Sequence, residues 1–405
     1  MLSALVSTLP SRRRLSLKWG MPPSSARPSC AISPRGATLW LLSPIWPGRC
    51  GPRRRAVGLG PGRRDPRREG KAGEVHLPRP LIVWKDRVMP SLDPVILFFL
   101  LGVLAGVSRS DLRLPAPIHD FLSMVLLLAI GLKGGVALSQ QSLGAVLPQV
   151  LAVAAMGTLM PLLAFPVLRH LGRLPRADAA AVAAHYGSVS VGTYAVAAAF
   201  LAHHAVTFED HMPVFVAVLE IPAIVVGVLL ARGLARDTRW GRMAHEVFLG
   251  RGLVLLIGGV FIGLGAGPEG IAPIKPLFFD LFKGVLALFL LDMGLIAAGH
   301  LGALRRHGLF LLAFGLIMPL VGAVIGATLG SFLGLSVGGS ALLATMAASA
   351  SYIAVPAAFR MIVPEANPAL SLGASLGVTF PFNILFGVPL YYQLALQVHA
   401  LVEGL

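Results

Sequence analysis

From residue 92 onward the chain alternates long apolar stretches with short polar joints. A helix that crosses the hydrocarbon core of a membrane needs about 20 mainly apolar residues. Stretches of this kind fall at 92–107, 118–138, 144–168, 178–201, 213–232, 252–267, 279–299, 308–331, 338–359 and 371–395. The pattern predicts an all-α integral membrane protein with ten transmembrane helices. Several stretches are short or interrupted by Gly and Pro, and interrupted spans are where transporters build their sites.

The joints carry a one-sided charge. With ten spans, alternate joints share a side, and one side receives Arg109, Arg113, Arg169, Arg173, Arg176, Arg232, Arg236, Arg239, Arg242, Arg251, Arg305, Arg306 and Arg360. The other basic residues of this region are Lys133, Lys275 and Lys283. The Arg-rich side is expected to be cytoplasmic, which puts both ends of the helical body outside.

The second half of the body repeats the first. Gly157-Thr-Leu-Met-Pro-Leu162 recurs as Gly315-Leu-Ile-Met-Pro-Leu320, an offset of 158. Ser190-Val-Gly-Thr-Tyr-Ala-Val-Ala-Ala-Ala-Phe200 recurs as Ser349-Ala-Ser-Tyr-Ile-Ala-Val-Pro-Ala-Ala-Phe359 at 159, and the same offset carries Pro222 onto Pro381. Ile130-Gly-Leu132 resembles Met293-Gly-Leu295 at 163. Chance similarity between Ala- and Leu-rich helices explains one such match as well as a repeat does, but it does not explain four in the same order with offsets of 158 to 163. Five spans per copy is an odd number, so the copies enter the membrane from opposite sides. The expected domains are repeat one at 89–233, a cytoplasmic linker at 234–251 and repeat two at 252–405, with broken helices crossing at the midplane.

Composition narrows the function. Apolar residues make up 56% of the chain and charged residues 13%, with 46 Gly, the balance of a helix bundle in lipid rather than a soluble domain. The net charge of +16 resembles a nucleic-acid signal until it is mapped. Residues 1–88 hold 18 Lys+Arg against 4 Asp+Glu, leaving 16 against 14 for the rest. Both cysteines, Cys30 and Cys50, also lie in the leader, so thiolate chemistry is excluded from the body. Walker A and HExxH patterns are missing from it. A secondary transporter, not an enzyme or an ATP-driven pump, is the expectation. The leader itself reads as disordered. It is either an organelle transit peptide or a non-native extension ahead of Met89. The location is accordingly a cell (inner or plasma) membrane, or an organelle membrane if the leader is a transit peptide.

The fourth stretch of each repeat concentrates small and hydroxyl residues: His185-Tyr-Gly-Ser-Val-Ser-Val-Gly-Thr193 and Ala347-Ala-Ser-Ala-Ser-Tyr352. A helix that breaks there frees backbone groups in mid-membrane, and something must satisfy them. Half-helix N-termini offer N–H donors to an anion, and freed carbonyls and hydroxyls offer oxygen to a cation. Such runs also serve ordinary close packing. Lys133 and Asp292 are charges inside spans, either a structural ion pair or transport residues. Glu220 precedes Pro222, while Thr379 precedes Pro381 and Asn383 follows it. Glu220 reads as a cation ligand or a capped structural carboxylate. His185 reads as packing or hydrogen-bonded rather than as a proton relay. His203, His204, Glu209, Asp210 and His211 form an outer-loop cluster that is not expected to hold a metal.

Three stretches, Ser349-Ala-Ser-Tyr-Ile-Ala-Val-Pro-Ala-Ala358, Ile130-Gly-Leu-Lys-Gly-Gly135 and Phe289-Leu-Leu-Asp-Met-Gly294, make the chain resemble the sodium-dependent bicarbonate transporter family, first associated with cyanobacterial inorganic-carbon uptake. The resemblance covers roughly 92–395. It implies ten helices in two inverted five-helix repeats, gate and core domains, and Na⁺ and bicarbonate bound together at the broken fourth and ninth helices. It also implies a homo-trimer and a cytoplasmic PII-like regulatory protein. The substrate set it points to is Gly187, Ser188, Ser190, Gly192, Ser349, Ala350 and Ser351. The Na⁺ set is Ser190, Thr193, Ser351, Tyr352, Glu220 and Asn383, with no cofactor beyond the coupling ion. Val191-Gly192, Glu220 in place of Asp and a short 232–251 link depart from the family pattern. The competing functions are Na⁺-coupled transport of a larger organic anion, as in bile-acid-type carriers, and a non-transporting membrane sensor.

Overall fold

The computed structural model describes residues 93–233, 241, 245 and 248–403. The leader at 1–88 and most of the link at 234–251 lie outside the described residues. The described residues form helices and no strand. They run α1 (Pro94–Val107), α2 (Ala116–Ser139), α3 (Leu143–Pro166), α4 (Arg176–Gly187), α5 (Val191–His203), α6 (Met212–Arg232), α7 (Arg251–Ile271), α8 (Phe282–Phe332), α9 (Val337–Ala347) and α10 (Ala354–Ile362). Next, α11 (Pro368–Ala374) continues through π-helical turns at Ser375–Thr379 and Asn383–Gly387 into α12 (Val388–Glu403).

Among the described residues, seven segments are long and apolar enough to cross a membrane. Two of them are the arms of α8, Phe282–His300 and Gly308–Phe332, which part where Gly308 adopts a φ of 88°. The remaining three expected stretches have a different form. The first is α1, with 14 residues. The fourth and ninth are each two short helices, α4 with α5 and α9 with α10, separated by non-helical backbone. The last stretch bends at its π-turns, around Thr379, Pro381 and Asn383. Large side chains such as Leu151, Phe261, Leu309 and Phe332 stand exposed, an outward face suited to lipid.

Glycine sets the helix spacing. Lipid tails are as apolar as leucine, so helices in a membrane associate through close packing rather than through burial from water. Gly131 and Gly135 of α2 lie against Gly259 and Gly263 of α7. A Cβ on Gly131 would overlap the Leu256 carbonyl, and one on Gly135 the Val260 carbonyl. In the same way Gly102 and Gly106 of α1 lie against the first arm of α8, where a Cβ on Gly102 would overlap the Leu291 carbonyl. Elsewhere Gly322 and Gly326, on the second arm of α8, admit the backbone of α9 at Ala347 and Leu343. This last contact reaches the end of α9.

Polar ties join the helix ends. Near the start of α6, His211 Nε2 and Gln149 Oε1 share a 2.8 Å hydrogen bond. There too Glu209 Oε1 accepts from the Ser336 N–H at 2.6 Å. Near the other end of α6, Arg176 Nε donates to the Leu230 carbonyl at 2.7 Å and Arg232 Nη2 meets Glu365 Oε2 at 3.0 Å. The Glu209 carboxylate and the Nε2 of His211 are thus engaged in structural ties. Among the described residues no group of His, Cys, Asp and Glu is placed to hold a metal ion.

Gly259→Leu should force α2 and α7 apart and lower stability by about 1–3 kcal/mol, the usual cost of overpacking. Gly258→Leu on the same helix, where a Cβ meets nothing within 4 Å, should be silent. Thermal unfolding of the detergent-solubilised variants checks the pair, and equal midpoints would refute the close-packing account.

Candidate functional site

The break between α4 and α5 follows from its serines. Ser188 is extended, with φ −98° and ψ 169°, and Ser190 is the N-cap of α5. The Ser190 Oγ accepts from the Thr193 N–H at 3.1 Å and from the Thr193 hydroxyl at 2.9 Å. Serine side chains compete for nearby backbone in this way, which favours a helix start over helix continuation. In the second copy α9 ends at Ala347 and α10 begins at Ala354. Pro356, which has no N–H to give, sits in the first turn of α10, where none is needed.

The two breaks touch. The Ser190 N–H donates to Ser349 Oγ at 2.9 Å, and that hydroxyl donates onward to the Met346 carbonyl at 2.7 Å. The Ser351 N–H donates to the His185 carbonyl at 2.8 Å, capping the end of α4. Backbone orphaned at each break is therefore satisfied directly by the other break, as a low-dielectric interior demands. Ser190, Ser349 and Ser351 are all buried.

Around this crossing the expected residues sort by what their polar atoms already do. Asn383 is fully engaged, its Nδ2 donating to the Ala348 carbonyl at 2.9 Å and its Oδ1 accepting from Tyr391 Oη at 2.7 Å. Thr379 donates to the Gly315 carbonyl and accepts from Tyr186 Oη, both at 2.7 Å. Gly187 makes room for neighbours, since a Cβ there would strike Pro161 and come within 3.0 Å of Ala223 Cβ. Gly192 does the same for Tyr352, whose hydroxyl a Cβ would approach to 2.6 Å. That hydroxyl lies beside Ser190 and the Gly192 backbone but reaches no partner with good hydrogen-bond geometry. Ala350 is buried at the crossing. His185 is also buried, with Nδ1 against the Ala181 carbonyl at 2.7 Å and Nε2 unpartnered.

Glu220 is different. Its carboxylate is buried and takes a 3.0 Å hydrogen bond from Ser188 Oγ. Among the described residues no Lys, Arg or His nitrogen stands within 4.0 Å of it. It lines a cavity of about 280 Å³ with Ser123, Arg251, Ile353 and Ala357. Ser123 Oγ, also buried, has no partner. A second cavity, of about 350 Å³, is lined by Lys133, Tyr194, Ala198, Asp210, Phe279 and Phe282. At the 159-residue offset, Tyr194 and Ala198 are the counterparts of Ile353 and Ala357. Each cavity thus runs along the second half of one interrupted helix.

The possible Lys133–Asp292 ion pair is corrected. Asp292 Oδ2 bonds His119 Nδ1 instead, and Lys133 Nζ rests 4.7 Å from the Phe282 ring centre and 5.5 Å from that of Phe279. Asp292 and Lys133 lie on neighbouring helices but serve different surroundings. Sequence reasoning missed His119 and Ser123. Both were visible as polar residues near the start of an apolar stretch, and neither has a repeat counterpart to draw attention to it.

A sequence model of the Na⁺-dependent bicarbonate transporter superfamily matches residues 94–396. The chain belongs to this superfamily. It is a multi-pass membrane protein and a transporter, not an enzyme, and bicarbonate and Na⁺ are what the superfamily carries. Among curated proteins, none matches the chain. Both interrupted helices and both cavities fall inside the matched segment.

Asn383→Leu should leave the Ala348 carbonyl and the Tyr391 hydroxyl unpaired, at a cost of about 1–3 kcal/mol. A thermal midpoint equal to that of the parent protein would show that Asn383 does not brace the crossing.

Proposed function

We propose that this protein is a Na⁺-coupled bicarbonate symporter that works by alternating access through ten spans in two inverted five-helix repeats. The observation that carries the reading is the mutual satisfaction of the two breaks, Ser190 N–H to Ser349 Oγ and Ser351 N–H to the His185 carbonyl. Paired contacts support the repeat. Gly157 abuts Leu219 as Gly315 abuts Val378, and both residues of the second pair follow at offsets of 158 and 159. The glycine seams α2–α7 and α1–α8 are likewise exchanged when the repeats are exchanged. Two cavities lined by repeat-equivalent residues are what alternating access requires, one leading to each side. With the Arg-rich joints in the cytoplasm, the Glu220 cavity is the inner one.

The anion is bound at the crossing by the Gly187–Gly192 and Ser349–Ser351 backbone and by the hydroxyls of Ser190 and Ser351, at the positive start of α5, with the Ser349 hydroxyl holding the two breaks together. Pro161, Ala223, Tyr352 and Phe289 fill the space next to Gly187 and Gly192. That crowding favours a four-atom oxyanion over a bulky organic acid. The cation is assigned to Glu220. A buried carboxylate in a membrane holds a partner, a proton or a metal ion, and the free hydroxyl of Ser123 with that of Ser188 completes an oxygen-rich set suited to Na⁺. Thr193 and Asn383 contribute by holding Ser190 and the Ala348 segment in place, with Ser351 and Tyr352 bordering the set. In repeat two the carboxylate's counterpart is Thr379, a neutral residue already pinned, so a single cation carboxylate serves both copies. A homo-trimer and a cytoplasmic PII-like regulator belong to this reading and rest on the family resemblance.

Radiolabelled bicarbonate uptake into proteoliposomes should require an inward Na⁺ gradient, and Ser190→Ala with Ser349→Ala should abolish it in protein that still elutes as a single species. Glu220→Gln should reduce Na⁺ stimulation at least about tenfold, as expected when a charged ligand is lost. Uptake driven by a pH gradient with Na⁺ absent would overturn the sodium assignment. Competition by bulky organic acids would favour the bile-acid-type reading, and binding without flux would favour a sensor.

A further inference from the structure

Lys133 is placed where a charge is costly, inside α2 and 17 residues from its start, yet its side chain is exposed to a cavity rather than sealed. Phe279 and Phe282 bring ring faces to its ammonium. Aromatic faces stabilise a cation but accept none of its three N–H donors as an oxygen would. No carboxylate lies within 4.0 Å of it among the described residues. The ammonium is therefore held in position with its hydrogen-bonding capacity unspent. A charge in a cavity with low-dielectric walls concentrates counter-ions there.

The cavity leads toward the crossing. Its lining includes Tyr194 and Ala198, and Tyr194 lies three residues into α5, whose first turn holds Gly192 and Thr193 beside Ser190. One helical turn, about 5.4 Å, separates the cavity wall from the start of α5. Asp210 lines the same cavity. Its charge opposes a second negative charge near Lys133, so the cavity suits a monoanion and discriminates against a dianion.

From this arrangement we infer that Lys133 forms a capture subsite for monovalent oxyanions, in which bicarbonate docks on the ammonium before passing along α5 to the crossing. The inference rests on the crossing as the transport site, and it adds a specificity-determining residue outside it. Lys133 acts as a point charge without the fixed fork of an arginine, which suits transient docking over retention.

The test measures initial bicarbonate uptake against concentration in proteoliposomes at fixed Na⁺, alongside equilibrium binding of radiolabelled bicarbonate to the solubilised full chain. Lys133→Met should raise the half-saturating bicarbonate concentration roughly tenfold, the scale of one lost charge-assisted hydrogen bond. Its effect on the maximal rate and on the Na⁺ half-saturation should be much smaller. Lys133→Arg should restore most of the difference. Raising ionic strength with an impermeant salt should weaken the parent protein and leave Lys133→Met unaffected. Asp210→Asn should lower half-saturation and relieve discrimination against sulfate as a competitor, and this holds the inference open to refutation should Lys133→Met fail to fold. An unchanged half-saturation in Lys133→Met, a fall confined to maximal rate, or an unchanged Asp210→Asn would each overturn the subsite. Should the parent protein show no Na⁺-dependent flux, the symport reading falls, and the binding arm alone decides Lys133: equal affinity in parent and Lys133→Met refutes it.

Discussion

A helix interrupted inside a membrane exposes N–H and C=O groups that the surrounding hydrocarbon cannot satisfy, each at a cost of several kcal/mol. Two such interruptions occur here, and each supplies what the other lacks. The Ser190 N–H reaches Ser349 Oγ, and the Ser351 N–H reaches the carbonyl that closes α4. Neither break is tenable without its counterpart in register. The rest of the architecture can be read as the means of holding that register. Gly322 and Gly326 seat α9 at the depth where it ends, Asn383 ties the Ala348 carbonyl to the last helix, and Thr379 braces Tyr186 against the Gly315 carbonyl.

Seen this way, the polar residues of the interior divide into those that are consumed and those that are available. Asn383, Thr379, Thr193 and Ser349 spend their capacity within the protein. Glu220, Ser123, Lys133 and the Tyr352 hydroxyl do not. The available groups also divide by sign and place, with the carboxylate in one cavity and the ammonium in the other. The proposed symport of a cation and an anion needs both kinds of group. Placing them in separate cavities avoids the buried ion pair that would otherwise neutralise them.

Small residues make this compactness possible. Along α2–α7 and α1–α8 the backbones meet at glycine, so main-chain atoms lie where side chains would normally separate two helices. The cost is intolerance, because even one added methyl group on Gly131 or Gly102 has a carbonyl in its way. Bulk at the lipid-facing surface carries no such penalty, which is why large residues such as Leu309 and Phe332 are tolerated there.

Hydrophobic length, a local property of the chain, was enough to locate the apolar stretches, and the runs of small and hydroxyl residues at 185–193 and 347–352 marked where the fourth and ninth break. The internal offset of 159 lines Ser190 up with Ser349 along the chain, and the structure brings the two into a hydrogen bond. Partners were another matter. Lys133 and Asp292 looked like mates because both are charged and lie in apolar stretches, yet Asp292 meets His119 and Lys133 meets two phenylalanines. Whether Asn383 faces a ligand or the Ala348 carbonyl, and whether Ser123 faces lipid or a cavity, depends on helix rotation. At the α2–α7 and α1–α8 seams rotation follows from which glycines interlock, a contact between segments more than a hundred residues apart that no local pattern encodes. The sequence by itself determined which segments are helical and where the fourth and ninth break, because hydrophobic length and small hydroxyl-rich runs are local; the tertiary structure decided which polar atoms those breaks leave free, because that depends on contacts between distant segments.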